Sequence, residues 1–187
     1  MGKPCRAHSQ SPSINPMILH CSQKLAAKLA DVAEVSPVPL EETSPLGGWH
    51  AHLFTIDRRQ CVLFCHDATR FTLFLPGLRK EHFAELGNEW FQPLYLATLA
   101  AFGCPSVQLM KVELAIGPIR FDTAIDRSVQ GSLRISREDL EAWAMCVPNV
   151  MSLDPVEVSC QLSHKPSTIR GKSLWPAQAM LEAVARI

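Results

Sequence analysis

The sequence has no excess of charge of either sign and no apolar run long enough to cross a membrane. Its 18 basic residues balance 18 acidic residues among 187 positions, so the overall charge predicts neither nucleic acid nor a lipid surface as a partner. A membrane-spanning helix needs about 20 consecutive apolar residues. The N-terminal segment contains Lys3 and Arg6 but no apolar core typical of a signal peptide. We therefore expect a soluble protein with no membrane partner.

Local signatures of catalysis and metal binding are also missing. The sequence has no C-x-x-C pair, no G-x-S-x-G turn and no glycine-rich phosphate loop beyond the Gly47-Gly48 turn. Its seven cysteines are an odd number, and several lie in apolar runs, where a free cysteine behaves as a small buried hydrophobic residue. We expect reduced cysteines and a cytoplasmic location, with no cofactor and no structural metal.

What remains is the composition of an ordinary globular protein, with 47% hydrophobic residues. The length allows one domain with an appendage. Residues 1–16 are rich in serine and proline and show no periodicity, which predicts a disordered tail. Residues 17–187 are expected to form a single α+β domain.

Three apolar runs of strand length stand close together in the middle of the chain. They are Trp49–Ile56, Cys61–Phe64 and Phe71–Leu75. Their short connections permit only antiparallel neighbours, so we predict a three-stranded meander. Alternation places Trp49 on one face of the first strand and His50 on the other. Pro76-Gly77 is expected to end the third strand.

The flanking segments complete the predicted fold. Residues 17–21 have the pattern of a short strand, and Ser22 can cap a helix that runs to about Ala33. The proline-containing segment 35–48 is expected to be a surface connection. After the meander helical patterns predominate, with a kink or break at Pro93, a weak strand at 119–125 and a helix at 132–146. The sequence thus predicts an α+β fold: a short N-terminal strand and helix, the meander, then mostly helices packed on the sheet.

The predicted core combines the meander with the periodic faces of the later helices. Its members are Trp49, Leu53, Val62, Leu63, Phe64, Phe71, Phe74, Phe83, Leu86, Leu140 and Trp143.

Histidines, cysteines and acids offer pieces of a metal site without completing one. His50 and His52 share one face of a strand, as Cys61 and Cys65 do on the next, and such residues can bind metals. Ordinary burial in the sheet explains both pairs equally well, and we favour it.

Four acids lie in or beside the ends of the predicted strands. They are Asp57, Asp67, Asp122 and Asp126. A metal-dependent nuclease would need such acids to converge. Turn preference accounts for Asp57 and Asp67 just as well.

Basic residues form local patches on this neutral chain and can bind phosphate groups. The candidate binding residues are Arg58, Arg59, Arg70, Arg120, Arg127, Ser128, Lys165, Arg170 and Lys172. The alternative is an ordinary solvated surface, on which Arg127 pairs with Asp122 or Asp126 and stabilises its loop.

Several motifs resemble a known family. They are G-x-W-x-x-x-L from Gly47, R-R-x-C-V-L-F from Arg58, T-R-F-x-x-x-x-P from Thr69, R-F-D-T from Arg120 and R-S-V-Q-G-S from Arg127. The pattern is similar to a family of uncharacterised bacterial proteins, a domain of unknown function often found on plasmids and mobile elements. The resemblance covers roughly residue 17 to the C-terminus. It implies one compact domain and no particular activity.

Two classes of function stay open. The sequence favours a non-enzymatic binding or interaction module for nucleic acid or a protein partner. The alternative is a small metal- or carboxylate-dependent hydrolase or nuclease.

Overall fold

The computed structural model describes residues 15–169 and 171–187. Most of the predicted tail at 1–16 lies outside these residues, as does Arg170. The strands are β1 (Met17–Cys21), β2 (Val35–Ser36), β3 (Trp49–Ile56), β4 (Arg59–His66), β5 (Thr72–Leu78), β6 (Ile119–Asp122), β7 (Ser167–Ile169) and β8 (Lys172–Leu174). The α-helices are α1 (Gln23–Leu29), α2 (Gln92–Ala101), α3 (Ser106–Ala115), α4 (Arg127–Ala144), α5 (Pro155–His164) and α6 (Pro176–Val184).

Six of these strands form one mixed sheet in the order β2-β6-β1-β3-β4-β5. Strands β2, β6, β1 and β3 pair in parallel, and β3, β4 and β5 form the predicted antiparallel meander. Strands β7 and β8 form a separate small hairpin. The predicted α+β fold is confirmed. Within the described residues, no helix is both long and apolar enough to cross a membrane.

The first hairpin of the meander fixes its register. Asp57 and Arg58 both have positive φ, of 49° and 60°, which is the backbone of a tight two-residue hairpin loop. Trp49 consequently pairs with His66, and His50 pairs with Cys65. The predicted faces are therefore confirmed, with Trp49 and His50 on opposite sides of the sheet.

Helices cover both faces of the sheet, and each face has its own core cluster. The Trp49 face packs against α1, α2 and α6, while α4 and α5 cover the opposite face around Phe54, Leu63 and Phe74. Every predicted core residue is buried except Trp143, which is only half-buried at the edge of the second cluster.

The third strand extends further than expected. Pro76 and Gly77 lie inside β5 rather than after it, so the predicted end at Leu75 was wrong. Proline is tolerated here because β5 is an edge strand and its missing N–H breaks no interior ladder. Along the same edge, the Ser159 and Ser163 hydroxyls of α5 accept hydrogen bonds from the Phe74 and Thr72 N–H groups, both at 2.9 Å.

The helices also differ from expectation at their ends. Helix α1 ends at Leu29, before the predicted Ala33. A π-helical segment (Leu86–Phe91) precedes α2, so Pro93 stands in the first turn of α2, where its missing N–H costs nothing. Helix α4 begins at Arg127, five residues before the predicted start at 132, because Asp126 caps it.

The burial of the cysteines predicts which thiols react with a labelling reagent in the native protein. Cys21, Cys61, Cys65 and Cys104 are buried, whereas Cys146 is exposed. Burial raises the pKa of the Cys65 thiol to about 12, and the thiolate is the form that reacts. We expect Cys146→Ser to remove one rapidly reacting thiol in a native titration and Cys65→Ser to remove none. Rapid labelling of the buried four would contradict this arrangement.

Candidate functional site

A buried histidine and a buried aspartate face each other where two parallel strands end. His20 near the end of β1 pairs in register with Asp122, the last residue of β6. The Nδ1–H of His20 donates to Asp122 Oδ1 at 2.6 Å. Asp122 also accepts from the Leu40 and Ala124 N–H groups, at 2.7 and 3.0 Å. Burial alone would raise the pKa of Asp122, but these hydrogen bonds outweigh it and hold the pKa below its ordinary value. An ionised Asp122 only accepts, so Nδ1 of His20 holds a proton.

A second histidine and aspartate stand beside this pair. His50 is the register neighbour of His20 on β3, and their ring centroids are 4.8 Å apart. The Nδ1 of His50 lies 2.6 Å from Asp67 Oδ1, and its Nε2 accepts the Asp126 N–H at 3.1 Å. Because Nε2 accepts, the proton of the neutral ring is on Nδ1 and is donated to Asp67. His50 is thus an orienting residue for Asp67.

The space between the two pairs is bounded by Gly48. The Asp67 N–H donates to the Gly48 carbonyl at 3.0 Å, which holds the aspartate beside the glycine. A β-carbon at position 48 would lie 3.2 Å from His20 Nε2, 3.4 Å from Asp67 Oδ2 and 3.0 Å from Glu42 Oε2. Glycine therefore leaves open a space on which one nitrogen and two carboxylate oxygens converge.

Glu42 has one satisfied and one unsatisfied oxygen. Its Oε1 accepts the Ser44 N–H at 2.6 Å, while Oε2 is buried and has no hydrogen-bond partner within the described part of the chain. Burial raises the pKa of this carboxyl, and the backbone N–H groups of Ser44 and Ile18 oppose that rise. A buried carboxylate oxygen without a donor costs free energy unless a cation or a proton lies against it.

These donors have the chemistry of a metal site. Ligand atoms of His20, His50 and Asp67 lie within 4.8 Å of one another, and His20 Nε2 is 3.7 Å from Asp67 Oδ2. His50 is the weaker ligand of the three, since both of its nitrogens already have hydrogen-bond partners. The Nε2 of His20 instead has no hydrogen-bond partner among the described residues, and a carboxylate on the other nitrogen is the usual support of a metal-binding histidine. Within this group His20 and Asp67 are the donors available to a cation, and Glu42 Oε2, which lies outside the group, faces the same space beside Gly48.

Arg70 connects this cluster to the start of α4. It has a positive φ of 60° in the turn after β4, and only 5% of its surface is exposed. Its Nη1 donates to the Asp67 carbonyl, and its Nη2 donates to Ser128 Oγ at 2.9 Å. Asp126 caps α4 by accepting the Ser128 and Val129 N–H groups. The nearby Arg70 charge adds to these bonds in lowering the pKa of Asp126, against the effect of burial.

The residues of this cluster lie within a segment that matches a known domain family. Residues 18–179 match the model of a domain of unknown function, DUF6933. The chain belongs to this family. No curated protein matches it. Every residue of the cluster lies within the matched part of the DUF6933 domain.

Of the predicted acids, the DUF6933 fold brings three together. Asp67, Asp122 and Asp126 surround the two histidines through the contacts described above. Asp57 lies apart in the first hairpin, where its Oδ2 accepts the Val150 N–H at 2.8 Å. Cys61 and Cys65, which the sequence suggested as partners of His50, are instead packed in the second core cluster.

The predicted basic residues divide among several surfaces. Arg70, Ser128 and Lys165 line one groove. Arg120 lines a different cavity with Gly87 and Asn88. The others do not line that groove: Arg58 and Arg59 are exposed at the first hairpin, Arg127 is exposed at the start of α4, and Lys172 is exposed on β8. Within the described residues, no carboxylate lies within 4.0 Å of Arg127.

Sequence reasoning missed His20 and Glu42. His20 lies 102 residues from Asp122 in the sequence. No local sequence pattern indicates that β1 and β6 are neighbours in the sheet. Glu42 belongs to the proline-containing segment that was interpreted as a surface connection. The one signal available was a histidine inside an apolar strand, where a polar ring needs a partner.

Proposed function

We propose that this DUF6933 domain binds one divalent metal ion through His20, Asp67 and Glu42 and acts as a small metal-dependent hydrolase. The observation that carries the proposal is the fixed ring of His20, whose Nδ1 is held by Asp122 at 2.6 Å while Nε2 faces Asp67 Oδ2. Mixed nitrogen and oxygen donors favour a transition metal such as zinc over magnesium or calcium. The proposal departs from the sequence-based expectation of no bound metal.

The number of ligands supports catalysis over a purely structural role. Structural zinc sites have four protein ligands, whereas catalytic sites leave a position for water or substrate. Three donors are available here, and the Asp67 side chain is 31% exposed, so solvent reaches the cluster. A metal ion held there would polarise a bound carbonyl or phosphoryl group and activate water.

The remaining residues have defined supporting roles. Asp122 keeps the Nε2 lone pair of His20 available, and His50 fixes the direction of the Asp67 carboxylate. Such orienting partners typically contribute 10–100-fold to metal affinity. The site needs no cysteine, which is why the cysteine spacing gave no indication of it.

The test is a zinc titration of protein stripped with EDTA, followed by calorimetry. We expect one ion per chain, with affinity lowered by more than about 100-fold in Glu42→Gln, because losing a direct ligand costs more than the roughly 10–100-fold typical of an orienting partner. Glu41→Gln is the matched control, because Glu41 is the exposed neighbour and should bind zinc as the wild type does. No binding by the wild type, or equal loss in both variants, would refute the metal site.

Hydrolysis is tested separately with chromogenic p-nitrophenyl acetate and p-nitrophenyl phosphate. We expect turnover that EDTA abolishes, that zinc restores and that Glu42→Gln reduces more than Glu41→Gln. Turnover that is insensitive to EDTA would point to metal-free acid–base catalysis by the two histidine–aspartate pairs. Stoichiometric zinc without turnover of either ester would refute the hydrolase assignment for these ester classes and leave a metal-binding protein.

A non-enzymatic role toward nucleic acid or a protein partner remains a prediction from the sequence. So do the cytoplasmic location and an origin on bacterial mobile elements. The observation that favours an anionic partner is the groove lined by Arg70, Ser128 and Lys165.

A further inference from the structure

A groove runs along α4 and α5, and Arg70 is one of the residues that line it. Its volume is about 390 Å³, which is within the usual range for a site that holds a small ligand. Three cationic side chains line it (Arg70, Arg134 and Lys165), with Asp139 as its carboxylate. Six hydroxyl side chains complete the lining: Thr72, Ser128, Ser132, Ser136, Ser167 and Thr168. A positive, hydroxyl-rich groove suits an anion with several acceptor oxygens.

The buried arginine is the strongest indication of a ligand. Arg70 is 95% buried by its 5% exposure, and its Nε has no hydrogen-bond partner within residues 15–169 and 171–187. No carboxylate oxygen of those residues lies within 4.0 Å of its guanidinium. A buried guanidinium without a bonded anion is costly. After Nη1 and Nη2 donate to Asp67 and Ser128, the group keeps further N–H donors, Nε–H among them, for the oxygens of a phosphate.

The other cations of the groove are already partly balanced. Lys165 Nζ lies 2.7 Å from Asp139 Oδ2 and stacks on the Trp143 ring. Arg134 pairs with Glu138 at 2.8 Å, but this pair is exposed and is therefore weak. Arg134 can therefore reorient toward a ligand at little cost, while Arg70 is held by the Asp67 carbonyl and Ser128.

We infer that this groove binds the phosphate group of a phosphorylated small molecule, the substrate class of the metal centre. The inference rests on the proposed function for the reaction and on the groove itself for the ligand. Arg70 touches both places, because its guanidinium donates to the Asp67 carbonyl and to Ser128 Oγ. Arg70 thereby links the groove to the turn that carries Asp67.

The test titrates inorganic phosphate into EDTA-treated protein by calorimetry, so that no metal contributes. We expect binding that weakens as salt rises. Arg134→Gln should weaken it about 3–10-fold, and Arg70→Lys more than about 10-fold, since lysine loses charge-assisted hydrogen bonds of the guanidinium. Arg137→Gln is the matched control. Arg137 is on the same helix and in the same i,i+4 type of ion pair, yet it does not line the groove.

Each outcome decides the inference independently of the metal site. If Arg70→Lys fails to fold, Arg134→Gln and Lys165→Gln carry the test, with thermal melts to confirm that they are folded. Absence of phosphate binding to metal-free wild type would overturn the inference, even where zinc binds. Equal weakening in Arg137→Gln would also overturn it, because the effect would then be one of general charge. Phosphate binding without zinc binding would support the groove and refute the metal centre.

Discussion

Replacing Trp49 by alanine should lower the free energy of unfolding by about 3–5 kcal/mol, because it removes a large buried ring and leaves a cavity. The side chain is fully buried and sits among aromatic neighbours. Its ring centroid lies 5.1 Å from those of His66, Phe91 and Tyr95. A stability loss of this size is a large share of the total for a domain of ordinary stability.

Trp49→Phe is the variant to compare with Trp49→Ala, because it keeps an aromatic ring at this position. The indole Nε1 has no hydrogen-bond partner among the described residues, so phenylalanine removes an unsatisfied donor while it keeps an aromatic ring. We expect Trp49→Phe to lose much less stability than Trp49→Ala in chemical denaturation. A thermal melt of Trp49→Ala that is unchanged within about a degree would contradict the burial of this residue.

Trp49 also packs against the histidine that holds the turn after β4 in place. Its ring packs edge-on against His66, whose Nε2–H donates to the Leu46 carbonyl at 2.8 Å. The His66 Nδ1 accepts the Thr69 N–H at 3.2 Å. Burial lowers the pKa of His66 to about 4, so the ring is neutral and can serve as this acceptor. Core packing on one face thus positions Asp67 and Arg70 in the turn that joins β4 and β5.

The meander could be predicted because its determinants are local. Period-two alternation assigned His50 and Trp49 to opposite faces, and short connections required antiparallel pairing. The end of β5 could not be predicted, because whether Pro76 ends a strand depends on whether that strand is at an edge. Whether a strand lies at an edge depends on the order of the whole sheet. Here the parallel pairing of β1 with β3 and β6 leaves β5 at an edge.

The residues of the candidate site likewise fall into a group that local patterns indicate and a group that only long-range pairing brings together. His50 and Asp67 are 17 residues apart and belong to one meander, so sequence patterns singled them out. His20, Glu42 and Asp122 come together only when β1 pairs with β6, and no local signal specifies that pairing. Arg70 was identified as a basic surface residue, yet it is buried. Its burial follows from the turn backbone and from Ser128 at the start of α4, which is 58 residues away.

Replacing Gly48 by alanine should strongly weaken metal binding with little effect on stability. The new methyl carbon would lie against all three donors at once, at 3.0 Å from Glu42 Oε2, 3.2 Å from His20 Nε2 and 3.4 Å from Asp67 Oδ2. Metal bonds to such donors are about 2.0–2.2 Å long, so the methyl group and a metal ion would compete for the same small space. We expect zinc affinity to fall by about 100-fold, the upper end of what loss of a supporting contact costs such a site.

The control for this variant is Gly131→Ala in helix α4, where an added β-carbon meets nothing within 4 Å. Alanine is the better helix former by about 1 kcal/mol, so this variant should be as stable as the wild type or more so and should bind zinc normally. Zinc calorimetry and thermal melts on both variants separate the two accounts of the cluster. If the cluster is only a structural hydrogen-bond network, Gly48→Ala should lose stability, and neither variant nor the wild type should bind zinc. A metal centre predicts loss of zinc from Gly48→Ala alone, with the fold intact, because the glycine is needed for the space it leaves open.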